Sequence, residues 1–487
     1  MNCITFSPIF PEILLPGFLL AYAIFGSILT HKSGGWGTSL AFSPSGINQA
    51  VFAILIWSFF LSFESSFYYD NNGIFTNTQN DIFRTFTLFL CVFLAATSCY
   101  MPLKTSKHFD YALFCIFAII GSLILLLAND LLTIFVSLEL QSLSFYLIAA
   151  YNLKSSFTAE SGIKYFISGS FASFLLLFGL TAIYFYSGSF LLQVLSFTVD
   201  LSEEYFTGFF IGFSFIFGAL FFKLGAAPFH QWLNEVYDGA FLNTTTFLMV
   251  MPKFAIFVTI IKFSVCLVNS SFDDLLNIFQ VFGLSSVIVG SIGALFQRRI
   301  RKILIFSTIG HTGFLLFPLF FIWSSSALDA LWFYLIIYLA TSFSTFSILL
   351  VSTVKQGFLK YIISWRNFGE FNIVLTSIFS ILLLSSAGIP PFPGFYSKLL
   401  ILTILIENRS LVNSIIIITF STISCFYYLR LIKNFYFTSR KVLLIKLQSN
   451  FSFIAYYIPI FTIVIACLLI FPNTLIFLCN LLGLISL

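Results

Sequence analysis

The sequence contains little charge and little histidine, and its cysteines show no metal-binding spacing. Only 8% of its 487 residues are charged and only four are His, whereas about 25% of the residues of an ordinary soluble domain are charged. None of the eight cysteines forms a C-x-x-C pair, and neither a Gly-rich phosphate loop nor a paired-histidine haem site occurs. These absences exclude a soluble globular domain, and they predict no redox centre, metal or nucleotide cofactor in this chain.

Long apolar runs make up most of what remains. Hydrophobic residues account for 59% of the chain, and runs such as 123–128 and 415–418 are continuously apolar, unlike the alternating strands of a membrane barrel. Cutting the chain at its polar and Gly/Pro-rich breaks gives segments at about 11–30, 50–68, 84–101, 110–128, 131–151, 161–186, 206–235, 242–266, 275–296, 303–323, 328–352, 370–405, 411–432 and 451–475. The sequence therefore predicts an all-α polytopic membrane protein with about fourteen transmembrane helices.

The charges between these segments support the count. Basic residues concentrate in the loops after odd-numbered segments, as in the run 298–302, whereas the loops after even-numbered segments hold only Arg84 and Arg409. Acidic loop residues mostly take the opposite face, except that the loop after segment seven carries Glu235 and Asp238 and no basic residue. The basic run is interpreted as a topology determinant facing water or lipid headgroups, and no nucleic-acid partner is expected.

The orientation and the site of synthesis follow from the same pattern. By the positive-inside rule the basic face is cytoplasmic or matrix, so both termini are expected on the other side. The chain passes from Met1 almost directly into a span near Pro11, without the Arg-rich and Ser-rich amphipathic segment of an imported precursor. This pattern favours synthesis inside an organelle or a bacterium.

A few ionisable residues fall within or beside the spans. They are Glu139, Lys164, Lys223, Lys253, Lys262 and Lys398. Glu139 lies nine residues after Asp130, roughly 13 Å into the membrane and near its midplane. Because such a residue costs about 2.5–3.5 kcal/mol on insertion scales, each one is a hypothesis about function. Glu139 is the expected acidic partner of Lys223, at a comparable depth, and the alternative to a functional pair is a static ion pair that holds two helices together.

Two of the spans are broken by Gly and Pro. Lys223 precedes the break at Gly225 and Pro228, and Lys398 follows the break that begins at Gly388. The broken segments, seven and twelve, are the fourth members of two five-helix blocks, segments 4–8 and 9–13. This layout predicts an antiporter-like fold with two inverted repeats and working sites at the discontinuous helices. Within a single membrane domain, 1–487, it predicts parts at 1–105, 106–272 (first repeat), 273–435 (second repeat) and 436–487.

Lys164 and His311 keep two interpretations each, whereas Lys262 keeps one. Lys164 follows Glu160 by one helical turn, so a surface i, i+4 pair is as consistent with the sequence as a proton site. Lys262 lies near the end of a span, where it is expected to snorkel. His311 lies nine residues after Lys302, near the midplane, and it fits either a proton relay or a satisfied core histidine.

Several sequence motifs carry a family resemblance that covers nearly the whole chain. They are L-E-L-Q-S-L-S-F-Y at 138–146, E-S-G-I-K-Y-F at 160–166, F-K-L-G-A-A-P-F-H-Q-W at 222–232, M-P-K at 251–253, I-F-S-T-I-G-H-T-G-F at 305–314 and A-G-I-P-P-F-P-G-F-Y-S-K at 387–398. Together they resemble the subunit 2 family of NADH dehydrogenase, antiporter-like subunits in the membrane arm of respiratory complex I, with the mitochondrially encoded form closest. The chain departs from the family after Trp232, where L-N-E-V-Y-D-G replaces A-P-D-V-Y-E-G.

The resemblance implies a fourteen-helix antiporter-like fold and proton translocation coupled to quinone reduction. The family's glutamate of helix five matches Glu139, and its lysines of helices seven, eight and twelve match Lys223, Lys253 and Lys398. The lysine of helix six matches Lys164. His311 falls on the family's S-x-x-G/S-H-x-G-Y pattern.

The resemblance also implies a setting for the chain. NADH, flavin, iron–sulfur clusters and ubiquinone are expected on other subunits of the complex, and none of them on this chain. The expected partners are other membrane-arm subunits, phospholipids and protons, in the mitochondrial inner membrane with both termini on the intermembrane-space side. A stand-alone cation/proton antiporter and a purely structural membrane subunit are the alternatives.

Overall fold

The computed structural model describes residues 17–18, 105–151, 155–192, 194–195, 206–267, 273–352 and 360–437. Predicted segments two, three and fourteen lie outside the described residues, as does segment one except for Gly17 and Phe18. The same holds for almost all of the predicted parts 1–105 and 436–487.

The described residues form helices. They are α1 (Thr105–Leu127), α2 (Leu131–Ala149), α3 (Ser156–Ser187), α4 (Phe206–Leu224), α5 (Gln231–Gly239), α6 (Leu242–Cys266), α7 (Asp273–Leu295), α8 (Ile300–Phe320), α9 (Ser325–Val351), α10 (Ile373–Ala387), α11 (Pro393–Glu407) and α12 (Leu411–Tyr436). A 3₁₀ turn (Ile362–Trp365) and a single α-turn (Phe368–Phe371) lie between α9 and α10. Nine of the helices in the described ranges are long and apolar enough to cross a membrane.

Predicted segments four to thirteen all coincide with helices. Segment seven is divided into α4 and α5, and segment twelve into α10 and α11, so both predicted breaks are confirmed. The helical fold class is confirmed as well. The division into inverted repeats at 106–272 and 273–435 stays a prediction.

The two breaks have the same backbone conformation. Gly225 and Gly388 have φ of +72° and +80°, a left-handed conformation that disfavours residues with a Cβ. At each break the N–H of the residue after the glycine donates a hydrogen bond to a carbonyl of the last helical turn. Ala226 donates to Phe221, and Ile389 donates to Leu384. This is the Schellman termination, which satisfies carbonyls that the ended helix leaves unpaired. Both breaks also contain a cis peptide bond before a proline, Ala227–Pro228 and Pro390–Pro391.

Helices α6 and α9 form the centre of the described part. They pack against each other, and about 89% of the apolar window of each is buried. Around them, α1 packs on α2, α3 on α4, and α7 on α8. Helices α3 and α12 lie at the periphery, where their exposed faces are apolar. A site next to α6 or α9 is therefore shielded from the surroundings on most sides.

Ionic contacts bring several connections to one end of the bundle. Lys164, near the start of α3, pairs with Glu235 of α5, and Asp238 of α5 pairs with Arg299 before α8. Arg299 also forms an isolated backbone bridge with Tyr361, in the segment after α9, and its guanidinium group lies over the ring of that tyrosine. This geometry places the connections after predicted segments five, seven, nine and eleven on one side, as the charge pattern predicts. It also explains the acidic exception, because both acids of α5 pair with basic residues at this end, Glu235 with Lys164 and Asp238 with Arg299.

Candidate functional site

The first break holds a partly buried ion pair. Lys223, in the last turn of α4, places Nζ 3.4 Å from Oε1 of Glu139 in the middle of α2. The lysine side chain is 9% exposed and the glutamate side chain 25% exposed. The predicted partner of Lys223 is therefore in contact with it, although 84 residues separate the two in sequence.

A small cavity adjoins this pair. Its volume is about 20 Å³, enough for one water, and its lining includes Lys223, Gln141, Tyr146, Trp232 and Pro252. The indole N–H of Trp232 donates to the carbonyl of Phe222 at 3.0 Å, which ties α5 to the end of α4. The Gln141 side-chain nitrogen is buried and makes no hydrogen bond in the described structure. The cavity thus combines an ammonium group with a spare amide donor.

Lys253 lies in the middle of α6 and faces α9. Its side chain is almost fully buried, with 2% exposure, and Nζ donates to Oη of Tyr338 at 2.6 Å. The neighbouring residues Pro252 and Ile256 line the Lys223 cavity instead. Helix α6 therefore separates two polar regions, and its lysine bonds within the second one.

Pro252 shapes the helix next to Lys253. Proline has no N–H, so the carbonyl of Leu248, four residues earlier, loses its helical partner. The hydroxyl of Tyr237 in α5 donates to that carbonyl at 2.9 Å. The short helix after the first break therefore supports α6 at the turn that carries Lys253.

His311 lies between Lys253 and the second break. Its Nδ1 is 2.7 Å from Oη of Tyr334, and its Nε2 is 3.4 Å from Oη of Tyr428. Its ring centre is 5.3 Å from that of Tyr338, the partner of Lys253. Both ring nitrogens thus have a hydroxyl neighbour, which suits an imidazole that accepts a proton on one side and donates on the other.

Lys398 crosses the second break. It begins in α11 and reaches back, so that Nζ donates to the carbonyls of Ser386 and Ala387 at 3.1 and 2.7 Å. These carbonyls lie at the end of α10, the negative end of that helix dipole. The ammonium also lies 5.3 Å from the centre of the Phe314 ring. Lys398 is 8% exposed, so it is held inside the fold and does not extend into water.

Small cavities join His311 to Lys398. One of about 10 Å³ is lined by His311, Lys398, Tyr334 and Tyr338, among others. A second, of about 20 Å³, is lined by His311, Tyr338 and Tyr428. Lys253, through its hydrogen bond to Tyr338, therefore belongs with His311 and Lys398 to one polar tract.

Lys164 and Lys262 lie apart from this tract. Lys164 pairs with Glu160 at 2.7 Å and with Glu235 at 2.5 Å, and its side chain is 44% exposed. The predicted i, i+4 pair is thus present, joined by a second acid. Lys262 is only partly exposed, and it donates to the carbonyls of Leu126 and Ala128 at the end of α1. The sequence predicted that this lysine snorkels, and the structure shows it bonded to a helix end instead.

The tyrosines of the tract and Gln141 were not found from the sequence. The spacing of Tyr334 and Tyr338 puts both on one face of α9, which is a usable signal. The chain contains 21 tyrosines, however, so a tyrosine in an apolar span does not by itself indicate a functional role. No group of three or more His, Cys, Asp or Glu side chains suited to a metal ion occurs within the described residues.

Comparison with known proteins shows which family the chain belongs to. Residues 128–426 match the family described as NADH:quinone oxidoreductase/Mrp antiporter, transmembrane. The chain belongs to this family. The matched range includes Glu139, the central lysines, His311 and both helix breaks.

Two curated relatives and one solved structure extend this family match. The chain is 31% identical to NADH-quinone oxidoreductase subunit N of Nitrosomonas europaea, over 89% of each chain. It is also 31% identical to NADH-ubiquinone oxidoreductase chain 2 of Arabidopsis thaliana, over 79% of this chain and 81% of the relative. Its fold resembles a chain of respiratory complex I from Thermus thermophilus with a TM-score of 0.78 and 20% identity, over 96% of this chain and 98% of that one.

Proposed function

We propose that this chain is the proton-translocating membrane subunit of an NADH:quinone oxidoreductase, in which buried lysines carry protons driven by quinone reduction elsewhere in the complex. The observation that carries the proposal is the Glu139–Lys223 pair, a charge pair beside a helix break inside a membrane domain. A buried pair contributes little net stability compared with apolar residues of the same size. Its position beside a break and a water-sized cavity favours a transport role.

The pair works as an electrostatic gate. While Glu139 stays beside Lys223, its negative charge compensates the ammonium group. When the carboxylate moves away or is neutralised, the ammonium is left uncompensated in a medium of low dielectric, and it releases its proton. No redox reaction in this chain is needed, because moving a nearby charge is sufficient to drive the transfer.

The released proton continues through the second polar region. Lys253, His311 and Lys398 form a tract that ends at the carbonyls of α10. In this mechanism protons enter from the basic end of the bundle, reside on Lys223 and leave beyond Lys398 toward the acidic end. Lys253, in the helix that separates the Lys223 cavity from the tract, passes them on to the tract.

The proposal extends to the setting of the chain. Quinone, NADH, flavin and iron–sulfur clusters are held by other subunits, and the neighbours of this chain are membrane-arm subunits and phospholipids. The basic end faces the matrix of a mitochondrion, and both termini face the intermembrane space. A bacterial plasma membrane with the corresponding orientation is the other location consistent with the relatives.

The test is Lys223→Met in the intact complex, reconstituted in vesicles. We expect normal assembly, retained electron transfer from NADH to quinone and a strongly reduced number of protons pumped per NADH. The matched control is Lys262→Met, because Lys262 lies in the same membrane domain but donates only to carbonyls at the end of α1. This variant should pump normally per assembled complex. A Lys223→Met complex that pumps at the wild-type ratio would support a purely structural role instead. Exchange of Na⁺ for H⁺ by the purified chain alone would favour a stand-alone antiporter.

A further inference from the structure

The contact between Lys253 and Tyr338 points to a residue that the family motifs do not mark. Lys253 is buried in the middle of α6, and the described structure gives its ammonium group one hydrogen-bonding partner, the Tyr338 hydroxyl at 2.6 Å. An ammonium group in this position can pass its proton only to a group within hydrogen-bonding reach. Any exchange between Lys253 and the rest of the tract therefore meets the Tyr338 hydroxyl first.

The surroundings of Tyr338 lead onward from Lys253. Its side chain lines the cavity of about 20 Å³ that Thr308, His311 and Tyr428 also line. That cavity has room for one water. Tyr428 carries the path further, because its hydroxyl is 3.4 Å from Nε2 of His311. Tyr338 thus touches Lys253 on one side and a water-sized space leading to His311 on the other.

We infer that Tyr338 is the relay and positioning residue that links Lys253 to His311 and, through it, to Lys398. The inference rests on the proposed function and assigns one more side chain to it. The Tyr338 hydroxyl also holds the flexible lysine side chain on the α9 side of α6, away from the Lys223 cavity.

The transfer balances without any added reagent. One proton moves from Nζ of Lys253 to Oη of Tyr338 while the hydroxyl proton of Tyr338 moves to a water in the cavity. That water gives a proton to Oη of Tyr428, whose own proton passes to Nε2 of His311. Each tyrosine and the water end as they began, Lys253 has lost one proton, and His311 has gained one.

The matching experiment is Tyr338→Phe, which removes the hydroxyl and keeps the ring. Positioned proton-transfer groups contribute about 10²–10⁴-fold, and a water can replace a hydroxyl in part, so we expect pumping per assembled complex to fall about tenfold. Electron transfer from NADH to quinone should persist to a greater extent than pumping. The control is Tyr111→Phe in α1, because Tyr111 is 2% exposed and Tyr338 3% exposed. It should pump as the wild type does.

Further variants distinguish a proton-relay role of Tyr338 from a packing role. Tyr338→His restores a group that can pass a proton, and it should recover part of the pumping that Tyr338→Phe loses. Lys253→Met combined with Tyr338→Phe should pump no less than Lys253→Met alone, because both changes interrupt the same step. If Tyr338→Phe assembles poorly, the Tyr338→His variant and the ratio of protons to electrons in the remaining complex still report on the relay.

The outcomes distinguish the relay from the function on which it rests. If Lys253→Met and Lys223→Met stop pumping while Tyr338→Phe pumps normally, the Tyr338 relay is wrong and the proposed function stands. If all three variants pump normally, the proposed function fails as well. Additive losses for Lys253→Met and Tyr338→Phe would overturn the relay by showing that the tyrosine acts elsewhere.

Discussion

The two helix breaks use the same backbone device but give their lysines different partners. At the first break Lys223 faces the full negative charge of Glu139. At the second, Lys398 faces the carbonyls of Ser386 and Ala387, and no carboxylate lies beside it among the described residues. A helix end supplies only about half an elementary charge. In the proposed mechanism the first break is therefore switched by moving a charge, whereas the second holds its ammonium on fixed dipoles.

The largest expected effect comes from removing the charge that distinguishes the first break. Glu139→Gln leaves the Lys223 ammonium beside a neutral amide, and pumping should fall about 10²-fold or more, as for loss of a positioned electrostatic group. Combined with Lys223→Met, the change should add little, because contacting residues that act together are not additive. Proton pumping and NADH oxidation by the reconstituted complex measure both effects. Additive losses would show that the pair does not act as a unit.

The glycines of the two breaks provide a second comparison. Alanine at either position adopts a left-handed conformation that costs about 1–2 kcal/mol. At Gly388 the added Cβ would also lie 2.7 Å from Cδ of Lys398, whereas at Gly225 it would meet the side chain of Leu233. We therefore expect both variants to assemble less well.

Pumping per assembled complex should separate these two glycine variants. A small misplacement of a reacting group can cost about 10²-fold, so Gly388→Ala should lower the pumping ratio by about an order of magnitude. Gly225→Ala should leave the ratio close to wild type, because its added atom strikes an apolar side chain. Equal pumping ratios for the two variants would contradict the placement of Lys398 at the second break.

A third prediction concerns α6, which separates the two regions. Tyr237→Phe leaves the Leu248 carbonyl without its hydroxyl partner, and an unsatisfied buried acceptor costs about 1–3 kcal/mol. Pro252→Ala restores an N–H that can donate to the same carbonyl. The double variant should therefore lose less stability than Tyr237→Phe alone, as measured by the chain retained in the complex after heating. A double variant less stable than both single variants would show that this hydrogen bond does not support α6.

The smallest effect is expected at the exposed end of the first half. Lys164 pairs with Glu160 and Glu235, but all three side chains are largely exposed, and exposed pairs contribute little to stability. Lys164→Met should lower stability slightly, more at low salt than at high salt, and should leave pumping unchanged. A clear loss of pumping in this variant would move Lys164 into the transport path.

Local patterns in the sequence predicted the helices and the breaks well. Apolar runs, Gly and Pro locate segments four to thirteen because each of these signals acts over a few residues. The alternation of loop charges also predicted which connections share an end. Glu235 and Asp238 looked like exceptions, because their basic partners, Lys164 in α3 and Arg299 before α8, are far away in sequence.

The site was predicted less completely, because its contacts are tertiary. Depth in the membrane matched Glu139 with Lys223 correctly, since both are costly charges that need a partner. Depth alone gave no means to find Tyr338 as the partner of Lys253, 85 residues later. Nor did it show that α6 turns Lys253 toward α9, since side-chain direction depends on how the helices pack.

The central claim is that the two breaks belong to a single proton route. The most direct measurement is the number of protons pumped per NADH by intact complexes that carry Lys223→Met, Lys398→Met or both. A single route predicts that either variant reduces the ratio to the same low value and that the double variant reduces it no further. Two partial losses that add up in the double variant would contradict the account, because they would mean that each break serves a separate route.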